Sequence, residues 1–66
     1  MTVIKVIELI ATSDRSIDHA VRNAVAEASK TIKNIDSVNI SNIKAHVTDA
    51  GISFGINCKV SFRVNE

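Results

Sequence analysis

From Ile52 to Val64 every second residue is apolar: Ile52, Phe54, Ile56, Cys58, Val60, Phe62 and Val64. Ser53, Gly55, Asn57, Lys59, Ser61 and Arg63 stand between them. Successive side chains of a strand point to opposite sides of the sheet, so this alternation predicts a β-strand with one buried and one polar face. Thr2 to Thr12 predicts an earlier strand rich in β-branched residues. Both of its faces are apolar, with Val3, Ile7, Leu9 and Ala11 on one and Ile4, Val6 and Ile10 on the other. Such a strand is expected to be covered twice, on one side by the chain's own helix and on the other by a neighbouring subunit.

Gaps of three and four separate Ile17, Ala20, Val21, Ala24, Val25, Ala28 and Ile32, which predicts a helix from about 16 to 33 with one buried stripe. Ser13-Asp14-Arg15-Ser16 supplies capping residues and Asp18 places negative charge near the first turn. Lys30 and Lys33 suit the negative end of the helix dipole, and Asn34 suits a left-handed cap. Much of the stripe is alanine, which allows a sheet to approach closely. Val38 to Val47 predicts a second, less regular strand with Val38, Ile40, Ile43 and Val47 as its apolar members. Thr48-Asp49-Ala50-Gly51 then predicts a hairpin into the last strand.

These elements give an α+β fold of order β-α-β-β. With the last strand between the other two, the sheet is three-stranded and antiparallel in the order 1-3-2, and it half wraps the single helix. The opposite face would be open, with Ser53, Gly55, Asn57, Lys59, Ser61 and Arg63 along its centre.

Sixty-six residues make a single domain, 1–66, close to the lower size limit for folding alone. One cysteine forms no internal disulfide, and two distant histidines beside it form no metal-binding framework. Apolar residues reach 45% of the chain, more than a disordered segment carries. A small apolar chain without staples gains stability most readily by assembling with copies of itself. The net charge of +1 is spread without runs, and both aromatic residues are phenylalanines of the last strand. Nucleic-acid binding, which needs a basic stripe and often stacking aromatics, is therefore not expected. Val3 to Ala11 is interrupted by Lys5 and Glu8, is too short to span a membrane, and lacks the pattern of a signal peptide. The lone thiol fits a reducing compartment, so a cytoplasmic setting is expected.

The order and spacing of several segments resemble the dodecins, small flavin-binding proteins. The likeness rests on Lys5-Val6-Ile7-Glu8-Leu9-Ile10-Ala11-Thr12-Ser13, the alanine-rich helix, Thr31-Ile32-Lys33-Asn34-Ile35-Asp36, Ile43-Lys44-Ala45-His46 and Lys59-Val60-Ser61-Phe62-Arg63-Val64. The resemblance implies a hollow homododecamer with paired ligand pockets near its symmetry axes. It also implies a non-enzymatic role in binding, storing or sequestering a flavin such as FMN or riboflavin. The match breaks at the flavin site. Ser37 stands where the family carries the tryptophan on which the flavin ring stacks, and Gly55 where it carries a glutamine that hydrogen-bonds the ring. Lys44 matches a frequent arginine near the ligand's polar tail. Stacking is worth roughly 1–3 kcal/mol per ring, so its loss implies weakened or altered ligand choice. Some dodecin-like proteins without the tryptophan are associated with other ligands, including calcium.

Each candidate has a plainer reading beside the functional one. Ser37 is also a polar start of a strand, and Gly55 a bulge or a close backbone approach. Lys44 is also a solvated edge-strand lysine, and His46, two residues on and pointing the same way, is also simply an exposed hairpin-end histidine. Lys59, Arg63 and Glu66 either line a cavity or form ion pairs between subunits, the second being favoured. Cys58 lies in the apolar register and is expected to be buried and inert, and His19 is expected to be exposed on the helix. The acidic residues form no compact calcium loop, so a metal site would have to lie between subunits. No phosphate loop, nucleophile elbow or metal-ligand pair at helical spacing supports catalysis. Three readings follow: a ligand-binding homo-oligomer, a structural or calcium-binding shell without flavin, and an interaction module acting through a protein partner.

Overall fold

β1 (Val3–Ser13), α1 (Ile17–Ser29), β2 (Ile35–Thr48) and β3 (Gly51–Val64) follow one another in a computed structural model that describes residues 2–64. The strands form one antiparallel sheet in the order β1-β3-β2. The expected α+β architecture is therefore the observed one, with the helix against one face. The register sets Leu9 opposite Cys58 and Ala11 opposite Ile56, which puts the apolar members of β1 and β3 on the helix side together.

The core is small. Ala20, Ala24, Ile56 and Cys58 are buried as one cluster, with Leu9, Ala11, Ile17, Val21 and Val38 packed half-exposed around it. The alanines of α1 supply no bulk, so the helix sits close to the sheet and the branched residues of β3 fill the space between. Ser16 caps the helix from an extended backbone, its Oγ accepting from the His19 N–H at 2.9 Å.

β2 departs from simple alternation for a reason visible in its register. One extra residue lies between Ile35 and Ser37, and another between Ile40 and Asn42. The second bulge shifts the period by one, so Val38, Ile40, Ile43, Ala45 and Val47 pair with Val60, Cys58, Ile56, Phe54 and Ile52 on the helix side of the sheet. Ser41, the extra residue, anchors the bulge by donating from Oγ to the Asn57 carbonyl at 3.2 Å.

The helix ends earlier than the stripe predicts, at Ser29 rather than near residue 33. The N–H groups of Lys30 and Thr31 bond three residues back, to the carbonyls of Glu27 and Ala28, which tightens and closes the last turn. The following residues are needed to carry the chain to the sheet edge. Asn34 does adopt the left-handed conformation, at φ 62°, but beyond the Lys30 cap, where its carbonyl accepts from the Arg63 N–H at 3.0 Å. Lys33 thus lies outside the helix, and Lys30 pairs with Glu27 at 3.2 Å on the surface.

The β2–β3 hairpin runs on past the helix. The chain measures 51 × 20 × 13 Å, with a radius of gyration of 13.5 Å against about 11 Å for a compact chain of this length. Val47 is 77% and Ile52 52% exposed on the helix side of the projecting end. On the opposite face Ile10 is 73% exposed beside the polar row of β3. That face is therefore polar along β2 and β3 but apolar along β1, where Ile4 and Val6 are also exposed.

The closeness of helix and sheet makes Ala24→Leu an overpacking change. It should lower stability by about 1–3 kcal/mol, read as a lower denaturant midpoint by circular dichroism. Gly51 closes the hairpin at φ +128°, with open space where a Cβ would stand. Gly51→Ala should therefore cost about 1–3 kcal/mol through backbone strain alone, in the same measurement.

Candidate functional site

The face of the sheet away from the helix carries every residue singled out for ligand binding. β3 contributes Ser53, Gly55, Asn57, Lys59, Ser61 and Arg63 along its centre. β2 brings His46 opposite Ser53, Lys44 opposite Gly55, Asn42 opposite Asn57 and Ser37 opposite Ser61. β1 adds Thr12 opposite Gly55, Ile10 opposite Asn57 and Glu8 opposite Lys59.

Three of the four expected site residues meet at one end of this face. Gly55 is flanked by Lys44 on one side and Thr12 on the other. It is buried although no helix lies above it. The cover is local. A Cβ built on Gly55 would lie 3.7 Å from His46 Nε2, 3.9 Å from His46 Cδ2 and 3.9 Å from Thr12 Cγ2. Gly55 is not a bulge, since both bulges lie in β2, and its neighbours here are the side chains of His46 and Thr12 rather than backbone. Those contacts are ordinary van der Waals distances, so a side chain can start from Gly55 without displacing backbone. Thr12 joins Lys44, His46 and Gly55 from β1, and no spacing in the sequence marks it as a neighbour of Gly55.

Ser37 does not join this group. Its partner on β3 is Ser61, six residues from Gly55, or about 20 Å along an extended strand. A single ligand can touch both ends of the face only if they come from different copies of the chain. The two hollows beside the helix do not supply a site for these residues either. One of about 230 Å3 lies between β1 and α1, lined by Leu9, Ile10, Thr12, Asn23, Ala24 and Glu27, where Asn23 Nδ2 donates to the Thr12 carbonyl at 3.1 Å. The other, of about 490 Å3, runs along the outer flank of α1 beside Val21, Val25 and Ala26. Neither contains Ser37, Lys44, His46 or Gly55.

Lys59 stands directly across from Glu8, yet among the described residues the ion pairs are Arg22–Asp18 and Lys30–Glu27, both on the exposed helix surface. Glu66 lies outside the described residues. Cys58 is fully buried and burial pushes its thiol up, which keeps it neutral and unreactive as expected.

His19 differs from expectation. It is half-buried and tied to the β1–α1 turn, Ser13 Oγ lying 2.6 Å from its Nδ1. The same hydroxyl accepts from the N–H groups of Arg15 at 2.9 Å and Ser16 at 3.4 Å. With its acceptor capacity used, the Ser13 hydroxyl donates to the ring. The pair is a structural clasp at the start of the helix, and sequence spacing alone could not show that the turn brings them together.

Among the described residues no cluster of three or more His, Cys, Asp or Glu is placed to hold a metal ion. Among the described residues no helix is long and apolar enough to cross a membrane. The open face nonetheless carries parts that suit a flat polar ligand: an imidazole at His46, a cation at Lys44, a hydroxyl at Thr12 and a recess at Gly55. It lacks a large aromatic surface at Ser37.

Comparison with known proteins matches the sequence and the fold. The family profile described as Dodecin matches residues 3–65. The dodecin of Thermus thermophilus is 31% identical over 65 residues, covering 97% of this chain and 94% of that protein. The crystal structure of a mutant of that dodecin superposes with a TM-score of 0.94 at 28% identity, covering 100% of this chain and 98% of the other. A calcium dodecin of Mycobacterium tuberculosis, described as calcium-chelating, superposes with a TM-score of 0.83 at 33% identity over 96% and 91% of the two chains. With a profile match across nearly the whole sequence and the same fold, the chain belongs to the dodecin family.

Proposed function

We propose that this chain forms a non-enzymatic, hollow homododecamer that binds, stores or sequesters a small ligand of the flavin class through an altered site. The observation that carries this reading is the grouping of Lys44, His46, Thr12 and Gly55 on an open sheet face. The reading is supported by a cation at Lys44, suited to a phosphate or ribityl tail, on the same face as the His46 ring. Membership of the dodecin family supports the ligand class.

The surface supports the assembly. Ile10 and Val47 are each about three-quarters exposed, on opposite faces of a sheet that one short helix covers only in part. Burying apolar surface gains roughly 25 cal/mol per Å2, so both faces gain from covering by further copies. The separation of Ser37 from Gly55 acts in the same direction, since a ligand touching both requires residues from two copies.

A second reading is a calcium-binding or structural shell without flavin. It is favoured by the likeness to the calcium-chelating Mycobacterium tuberculosis dodecin. Its ion would have to lie between copies, given that no metal cluster exists among the described residues of one.

Native mass spectrometry of the purified protein tests the readings together. The flavin reading expects a dodecamer that gains flavin-sized mass on addition of FMN or riboflavin. A dodecamer that takes up only calcium supports the shell instead, and a monomer or dimer removes the basis of both. A second test restores the family's pattern. Ser37→Trp combined with Gly55→Gln should strengthen flavin binding by about tenfold or more, followed as quenching of flavin fluorescence. Unchanged fluorescence from an intact dodecamer would mean that these positions do not form the pocket.

A further inference from the structure

We infer that His46 supplies the ring-recognising surface of this site, with one edge of its imidazole lying across Gly55. This rests on the flavin-class reading above and gives it a specific determinant.

The argument starts from which rings the open face can offer. The chain has no tryptophan or tyrosine, and its phenylalanines Phe54 and Phe62 lie in the helix-facing register with Ile56, Cys58 and Val60. His46 is thus the one ring-bearing residue of β1, β2 and β3 on the face away from the helix.

Its placement is constrained. The Nε2–Cδ2 edge lies over Gly55, 3.7–3.9 Å from the point where a Cβ would stand, and the Thr12 methyl bounds the same recess at 3.9 Å. Gly55 is buried beneath this cover while His46 itself remains exposed. One edge of the imidazole is therefore seated on the strand and the rest faces solvent. A seated ring has less freedom to lose on binding than a free surface side chain, and that favours its use as a platform.

The chemistry of the ring suits a flat heterocycle. Imidazole offers a π surface together with a nitrogen donor and a nitrogen acceptor, so it can both stack and hydrogen-bond. Lys44, directly opposite Gly55, adds a charge on the same face for an anionic or hydroxyl-rich tail. Neither role calls on an aromatic residue at position 37.

The test is titration of riboflavin and FMN, read by fluorescence quenching, against the wild-type protein and His46→Ala, His46→Phe and His19→Ala. Native mass spectrometry confirms equal assembly of all four. His46→Ala should weaken binding by about tenfold or more, and His46→Phe, which keeps a π surface, should return to within about threefold of wild type. His19→Ala, at the start of the helix, should leave affinity unchanged. Wild-type binding that His46→Ala alters by less than about twofold would overturn the role of His46 and leave the flavin reading standing. Fluorescence unquenched by the assembled wild-type protein would overturn both.

Discussion

The contact between the alanine face of α1 and the centre of β3 governs this molecule. Ala20 and Ala24 lie against Ile56 and Cys58, and close approach is possible only because the helix brings no bulk. A helix of 13 residues can cover only part of a sheet whose two longest strands have 14 residues each. β3 is central and becomes buried, whereas β2 remains exposed from Asn39 to its end. The incomplete cover follows from element lengths and needs no special feature of the surface. It leaves apolar residues of β1 exposed on one face and those of the hairpin exposed on the other. A chain built this way has its remaining stabilisation to gain from neighbours.

The same geometry decides where a ligand site can form. The helix occupies one face, so side chains on the other are free of intramolecular packing and available for polar work. Gly55 marks the exception on that face. There His46 of β2 lies over β3, and Thr12 of β1 bounds the same spot. Three strands thus converge on a recess with a cation beside it. Nothing within one chain walls off the space above, so a site of ordinary depth needs a second chain as its roof.

Much of the fold was legible because its elements carry strong periods. The thirteen-residue alternation in β3 and the three-and-four spacing of α1 correspond directly to the faces seen. The two apolar faces of β1 likewise emerge with Leu9 and Ala11 inside and Ile10 outside. β2 was legible as a strand over Val38 to Val47 but runs from Ile35 to Thr48, and its detail was hidden because a bulge at Ser41 converts a break in period into continuous helix-side packing. The gap of three between Ile40 and Ile43 is its trace in the sequence. The end of the helix was misplaced because Ile32 keeps the apolar spacing after the backbone has left the helix to reach β2. Periodicity reports which way a side chain points; it does not report how much chain a crossover consumes.

The site was legible only in its parts. Lys44 and His46 were expected to point together and they do, since both lie on one side of an extended strand. What the sequence could not supply was distance across the sheet. Ser37 and Gly55 enter as a pair only through family resemblance, and the register separates them by six residues of β3, nearly half its length. The ribbon itself thus links ligand binding to assembly. A change at one end of the strand can affect a ligand at the other end only through the contact between copies. If a ligand spans both positions, substitutions at Ser37 and at Gly55 act on different walls of one space between copies. On the role proposed for His46, ring recognition then depends on the end of the sheet that holds Gly55 and not on position 37.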